Sequence, residues 1–125
     1  MESLIIPSSE DTPKIHFIPS ENIYSISEKS LPEDAYEFYK PVFDWFQKLL
    51  ENPCPKFDID FNLEYFNTAS AKQIAKLLLM LENLSEKSDV TVRWHYNEED
   101  TDMLNAGMRF NKLIKVNFEF VRNEE

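Results

Sequence analysis

Two hydroxyls near the middle of the chain, Thr68 and Ser70 in the run Tyr65-Phe66-Asn67-Thr68-Ala69-Ser70-Ala71-Lys72, are the residues best placed to do chemistry. An alternating apolar/polar run precedes them and a helical pattern follows. They therefore fall where a strand passes into a helix, at the carboxyl edge of a sheet, where open α/β sheets bind ligands. Free backbone N–H groups and the positive end of the helix dipole make such a place hospitable to a phosphate. The same residues also have a plain structural use: Ser70 or Thr68 can cap the helix, a contribution of about 1 kcal/mol. The two roles can be divided between neighbours. Lys72, in the first turn, reads either as a solvated lysine or as a counter-charge for a phosphate.

A second group of candidates lies on strand-like runs. Asp58, Asp60 and Glu64 share the polar phase of one run, and His16 and His95 the polar phases of two others. A metal site needs three or four such groups converging at ligand geometry; the spacing does not require it, and the expectation is a solvated open face with no metal and no cofactor. Arg93 and His95 remain candidates for partner recognition. Cys54, between Pro53 and Pro55, has no base near it in sequence and reads as unreactive.

Composition bounds what these residues can serve. The chain has 125 residues, 13 Lys and Arg against 23 Asp and Glu, and a net charge of −10. That length suits one domain, and a 42% hydrophobic content with 14% aromatic residues supplies a core rather than a disordered chain. A pI near 4.6 speaks against nucleic acid and against anionic membrane surfaces. The single glycine excludes the glycine-rich loops that cradle nucleotide phosphates. One cysteine fits a reducing compartment. The first residues lack the basic and apolar regions of a signal peptide. No apolar run approaches the ~18 residues of a membrane span. The expected location is the cytoplasm.

The elements that position the hydroxyls follow from periodicity. Residues 1–13, polar and carrying two prolines, read as a loosely held lead-in. Lys14 to Ile18 and Ile23 to Glu28 read as a hairpin around Pro19-Ser20-Glu21-Asn22. A helix is expected to open at Leu31-Pro32-Glu33-Asp34 and to run to about Glu51 despite Pro41. Phe57, Ile59, Phe61, Leu63 and Tyr65 alternate with polar residues, as do Val90, Val92, Trp94 and Tyr96, and later Val116, Phe118 and Phe120. Between them lie helical segments from about Ala71 to Ser85 and from about Glu98 to Asn111. The expectation is a single α/β domain, β-β-α-β-α-β-α-β, with a mixed, mainly parallel sheet, an N-terminal hairpin and helices on one face. Leu79 and Met80 fall outside the stripe of Ile74, Leu77, Leu78, Leu81 and Leu84, which marks them either as a contact patch or as part of a deeply packed helix.

The order of elements resembles the STAS-type fold of anti-sigma-factor antagonists, and more closely one branch, the SiaC family of bacterial regulatory phosphoproteins. Thr12-Pro13, Pro32-Glu33-Asp34-Ala35-Tyr36-Glu37, the Tyr65 to Lys72 junction and Val92-Arg93-Trp94-His95-Tyr96 carry the likeness, in matching order along nearly the whole chain. The resemblance implies a non-enzymatic switch: Thr68, with Ser70 as a fallback, phosphorylated by a dedicated kinase and dephosphorylated by a PP2C-type phosphatase. It further implies that the unmodified form binds and activates a diguanylate cyclase, tying the switch to cyclic-di-GMP and biofilm formation. Asn67, Ser70, Lys72, Leu79 and Met80 are the expected partner-binding residues. Ala69 stands where the family often has another hydroxyl. The rival expectations are a constitutive adaptor, or anti-sigma-factor-antagonist-type module, of the same fold, and a small enzyme built on Asp58, Asp60, Glu64 and His95.

Overall fold

The structure, a computed structural model, describes residues 1–124. In them six strands, β1 (Leu4–Ile6), β2 (Lys14–Ile18), β3 (Ile23–Ser30), β4 (Lys56–Phe66), β5 (Asp89–Asn97) and β6 (Asn117–Asn123), accompany three α-helices, α1 (Ala35–Glu51), α2 (Thr68–Leu84) and α3 (Thr101–Leu113). The strands form one sheet in chain order, β1 to β6. β1, β2 and β3 pair antiparallel, while β3 through β6 run parallel, with α1, α2 and α3 as the crossovers. Right-handed crossovers that always step in one direction along a sheet put every helix on the same face. The mixed, mainly parallel α/β domain expected from periodicity is therefore what the chain forms.

Alternation assigns the faces. Phe57, Ile59, Phe61 and Leu63 of β4 and Val90, Val92 and Trp94 of β5 are buried beneath the helices. Tyr39, Val42, Trp45, Phe46 and Leu49 of α1 join the same core, as do Ile74, Leu77, Leu78, Leu81 and Leu84 of α2 and Met103, Ala106 and Phe110 of α3. Aromatic residues knit the α1 side: Trp45 lies 4.7 Å from Phe17 and Tyr24 lies 4.4 Å from Phe57, centroid to centroid. At the α3 side the single glycine has a specific use. A Cβ on Gly107 would come within 2.6 Å of Trp94 Nε1, so only a bare backbone lets α3 lie against the indole. The indole N–H in turn donates to the Met103 carbonyl at 2.9 Å.

The N-terminal segment corrects one expectation. Residues 1–13 are not a loose lead-in throughout, because Leu4–Ile6 form the edge strand β1, pairing Leu4 with Phe17 and Ile6 with Ile15. Trp45 Nε1 donates to the Glu2 carbonyl at 2.8 Å, and Leu31 N–H donates to the Asp11 carbonyl at 2.7 Å. Three residues are too few for a period to register in sequence; pairing and packing against α1 supply what propensity did not. α1 begins at Ala35 rather than at Pro32, because the Asp34 carboxylate caps it by accepting from Glu37 N–H at 3.1 Å.

Candidate functional site

The junction between β4 and α2 is assembled from three parts of the chain. Asn67 is the cap: its side-chain oxygen accepts from Ser70 N–H at 2.9 Å, and α2 begins at Thr68, three residues before the expected Ala71. The capping role expected of Ser70 or Thr68 thus belongs to their neighbour. Asn, like Ser and Thr, has a short side-chain acceptor able to reach the N–H three residues on. Thr68, relieved of that role, is the exposed first residue of the helix, and its hydroxyl makes no hydrogen bond among the described residues.

Ser70 is the opposite case. It is 0% exposed. Its hydroxyl donates to the Ser30 carbonyl at 3.0 Å and accepts from Ser30 Oγ at 2.8 Å. Ser30 Oγ in turn meets the Tyr39 hydroxyl at 2.7 Å. Since Ser70 Oγ–H and Ser30 Oγ–H are both committed, the chain runs one way, from Tyr39 O–H through Ser30 and Ser70 to the Ser30 carbonyl. Burial pushes Tyr39 up to about 12, against the pull of its hydrogen bond to Ser30, so the phenol stays a donor. The same carbonyl also accepts Asn67 N–H at 3.1 Å. Ser70 therefore anchors the start of α2 to β3 and α1, and neither a kinase nor a partner can reach it without opening the core; its expected roles as fallback acceptor and partner contact are corrected on that ground. The signal was present in sequence: Ser70 shares its helical phase with Ile74, Leu77 and Leu81, the buried face. Nothing comparable pointed to Ser30 or Tyr39.

Electrostatics sets this helix start apart. α1 opens with the Asp34 cap and Glu37 in its first turn, and α3 with the Asp100 cap and Asp102. Acids there offset the positive end of the dipole. α2 has a neutral cap and no acid in its first turn, in a chain of net charge −10. Lys72 is exposed one turn further on, at the i+4 position from Thr68. Beside it, Ala69 and Lys72 share a shallow groove with Glu33, Asp34, Tyr36 and Gln73, whose buried Oε1 has no protein partner. The structure thus brings the Pro32 to Glu37 block next to the Tyr65 to Lys72 block. Leu79, on the outer side of α2, is 51% exposed, whereas Met80 is half-buried against the core. The pair expected to form one patch is split between two sides of the helix.

The polar face of the sheet is also not the solvated surface expected. Arg93 donates to both oxygens of Asp60, from Nε at 2.9 Å and Nη2 at 3.1 Å, and His95 Nε2 meets Asp60 Oδ1 at 2.7 Å. The Asn123 amide donates to Asn62 and Asn97, which turns its oxygen toward His95 Nδ1 at 3.2 Å. Both ring nitrogens face acceptors, the environment of an imidazolium. Burial pushes Asp60 up, but the hydrogen bonds from His95 and Arg93 outweigh it and bring the carboxyl to about 2. The hydrogen bond to Asp60 raises His95, against the opposing effect of burial. These groups come together because Asp60 pairs with Arg93 in the β4–β5 register and β6 delivers Asn123 alongside. Glu64 is exposed and makes none of these bonds, and His16 lies across the sheet on β2. Among the described residues no three His, Cys, Asp or Glu side chains are grouped so as to hold a metal ion. Burial pushes the Cys54 thiol up, opposed by backbone hydrogen bonds, away from the thiolate a nucleophile needs.

Fold and junction together define a class: a small α/β domain with helices on one face of its sheet and an accessible hydroxyl at the start of a central helix. Residues 6–123 match the SiaC family regulatory phosphoprotein model, and the chain belongs to that family. It is similar to the crystal structure of apo-SiaC from Pseudomonas aeruginosa, with a TM-score of 0.89 and 28% identity over 97% of this chain and 99% of that one. It is equally similar to a chain in the crystal structure of the diguanylate cyclase SiaD in complex with its activator SiaC from the same organism. There the TM-score is 0.89 at 27% identity, covering 96% of this chain and 99% of that one. An uncharacterized protein of Pseudomonas aeruginosa (strain UCBPP-PA14) is 28% identical over the full length of both chains. No helix of the described residues is long and apolar enough to cross a membrane.

Proposed function

We propose that this chain is a non-enzymatic cytoplasmic switch whose unmodified form binds and activates a diguanylate cyclase and whose Thr68-phosphorylated form does not. A protein kinase adds the phosphate and a PP2C-type phosphatase removes it. The observation that carries the proposal is the exposed, unpartnered hydroxyl of Thr68 on the one helix of the three whose first turn holds no acid. Family membership supports a regulatory role, and the SiaD–SiaC complex supports a cyclase as the target.

Phosphate at Thr68 adds about −1.5 to −2 charges beside a helix N-terminus that carries no acid of its own. The Asn67 cap and the Ser70 anchor do not use the Thr68 hydroxyl, so the fold tolerates the modification. A partner packed over the junction meets new charge and bulk with no compensation, and buried interfaces respond to unpaired charge by about 2–5 kcal/mol. The state of Asp60 speaks against the rival enzyme reading. A carboxyl held at about 2, already bonded to Arg93 and His95, lacks the pKa near the working pH that a general acid or base requires.

Peptide-level mass spectrometry of the protein from its host tests the site: about 80 Da of added mass on Thr68, removed by a PP2C-type phosphatase, is expected. Thr68→Asp is expected to weaken cyclase binding by about tenfold or more. An unmodified Thr68 across growth conditions, with unchanged binding by Thr68→Asp, overturns the switch in favour of a constitutive adaptor.

A further inference from the structure

The groove beside Thr68, between the start of α1 and the first turns of α2, has the chemistry to take a cation from outside the chain. It measures about 630 Å³, and its lining includes Glu33, Asp34, Tyr36, Ala69, Lys72 and Gln73. Gln73 lies at the floor, 5% exposed, and its Oε1 has no hydrogen-bond partner. A buried amide oxygen left in that state costs stability, and a donor entering the groove offsets the cost. The amide turns about its last bond, so the oxygen can face the groove as well as the nitrogen.

The rim supplies the charge. Glu33 and Asp34 are exposed, and neither makes an ion pair among the described residues. Asp34 uses Oδ1 for the cap of α1, which leaves Oδ2. Lys72 is on the lining too and pairs with neither acid. Tyr36, 61% exposed, adds an aromatic ring. Two carboxylates, an amide oxygen and a ring suit a guanidinium better than an ammonium. The planar fork of arginine donates to several acceptors at once and stacks on an aromatic face, whereas a lysine amine is a compact point charge.

The position of the groove points to the source of that arginine. Ala69, part of its wall, follows Thr68 in the chain. On the reading that Thr68 is phosphorylated, a kinase breaks the bond between the β- and γ-phosphates of ATP and joins the phosphoryl group to Thr68 Oγ1. ADP and the hydroxyl proton leave. Such an enzyme must cover the residues next to Thr68, and the mouth that holds its anionic donor is cationic. The acids that can meet this mouth stand at the start of α1, while the first turn of α2, where the phosphoryl group arrives, carries none. We propose that this groove docks an arginine of the kinase that modifies Thr68, its guanidinium bonded to Glu33, Asp34 and Gln73 and stacked on Tyr36. The inference rests on the switch proposed above and adds to it how the enzyme finds its substrate.

The test uses the full chain and the kinase activity enriched from its host, with KM and kcat for phosphorylation of Thr68 read by mass spectrometry. Glu33→Lys is expected to raise KM about tenfold or more with kcat nearly unchanged, because the lost contact is remote from the reacting atoms. Tyr36→Ala is expected to raise KM about threefold. Gln73→Leu removes the unpartnered amide and is expected to raise KM about tenfold while the melting temperature holds or rises, which a merely structural residue would not do. Glu51→Lys makes the same charge change at the far end of α1 and is expected to leave KM at the wild-type value. In NMR titrations N-acetyl-arginine amide is expected to shift the Tyr36 and Gln73 side-chain resonances, and N-acetyl-lysine amide to shift them less. Wild-type KM in the three groove variants, or equal shifts from the two amides, overturns the arginine site and leaves the switch standing. Groove variants that lose cyclase affinity at a wild-type KM assign the groove to the target and overturn the proposal. A host activity that leaves Thr68 of the wild type unmodified overturns the switch, and this proposal with it.

Discussion

β4 carries polar chemistry at its middle and at its end, and the two places are built in opposite ways. At the middle, Asp60 is held by Arg93 and His95, and His95 by Asn123, so that each charge meets a partner within the chain. At the end, Asn67 and Ser70 are fully engaged while Thr68, between them, makes no hydrogen bond among the described residues and starts a helix with no acid in its first turn. By residue type both places could do chemistry. Geometry separates them, because groups that satisfy one another hold the fold, and a group left unsatisfied at the surface is available to something else.

The sharpest way to break the comparison is a reciprocal pair of variants. Thr68→Asp is expected to leave thermal stability within about 0.5 kcal/mol while affinity for the cyclase falls as given above. Asp60→Ala is expected to lower stability by about 1–3 kcal/mol, a buried-pair loss discounted for partial exposure, with cyclase affinity unchanged. Urea unfolding and binding calorimetry on both variants check this; an Asp60→Ala protein that folds normally and loses its partner would dissolve the distinction.

Acidity sharpens it further. Asp60 titrates lower in the fold than the ordinary 3.8, so its contribution is present above that range and is lost as pH falls toward about 2. His95 titrates higher than the ordinary 6.5, so its contribution is full below that value and fades as pH rises through the raised pKa. Unfolding free energy measured from pH 3 to pH 9 is expected to decline at both ends in the wild type and to lose both of these contributions in Asp60→Asn.

Smaller effects separate the two hydroxyls of the junction. Ser70→Ala leaves the Ser30 hydroxyl without its buried acceptor and is expected to cost about 1–2 kcal/mol, with the proposed phosphorylation of Thr68 retained. Thr68→Ala is expected to abolish the modification at little cost in stability. Smallest of all, Ala69→Glu gives α2 the acid its first turn lacks. It is expected to raise the melting free energy of the unmodified protein by about 0.3–1 kcal/mol and to lower that of the phosphorylated protein.

Periodicity made most of this fold legible, because β4, β5 and the buried stripe of α2 are long enough for alternation or a helical repeat to show. β1 was not legible, since three residues carry no period and its place depends on Phe17 and Trp45 from elsewhere in the chain. At the junction, residue types pointed to the eight-residue run Tyr65 to Lys72, and the resemblance singled out Thr68. The division of labour within the stretch was hidden. It depends on Ser30 and Tyr39, 40 and 31 positions before Ser70 in the chain, meeting it in the core. The Asp60 cluster was hidden for a similar reason: alternation put Asp60, Arg93 and His95 on one face but could not say that register would set them at bonding distance.

The Ser30 carbonyl, which receives both Asn67 N–H and the Ser70 hydroxyl, has a consequence for how a message is carried here. It locks the beginning of α2 to the neighbouring strand whatever is attached one residue away. In the switch proposed above, the modified and unmodified forms would share one backbone, so a reader would distinguish them by surface alone. Writing and erasing would then cost no refolding, and the signal could be reversed as often as the enzymes that handle it turn over.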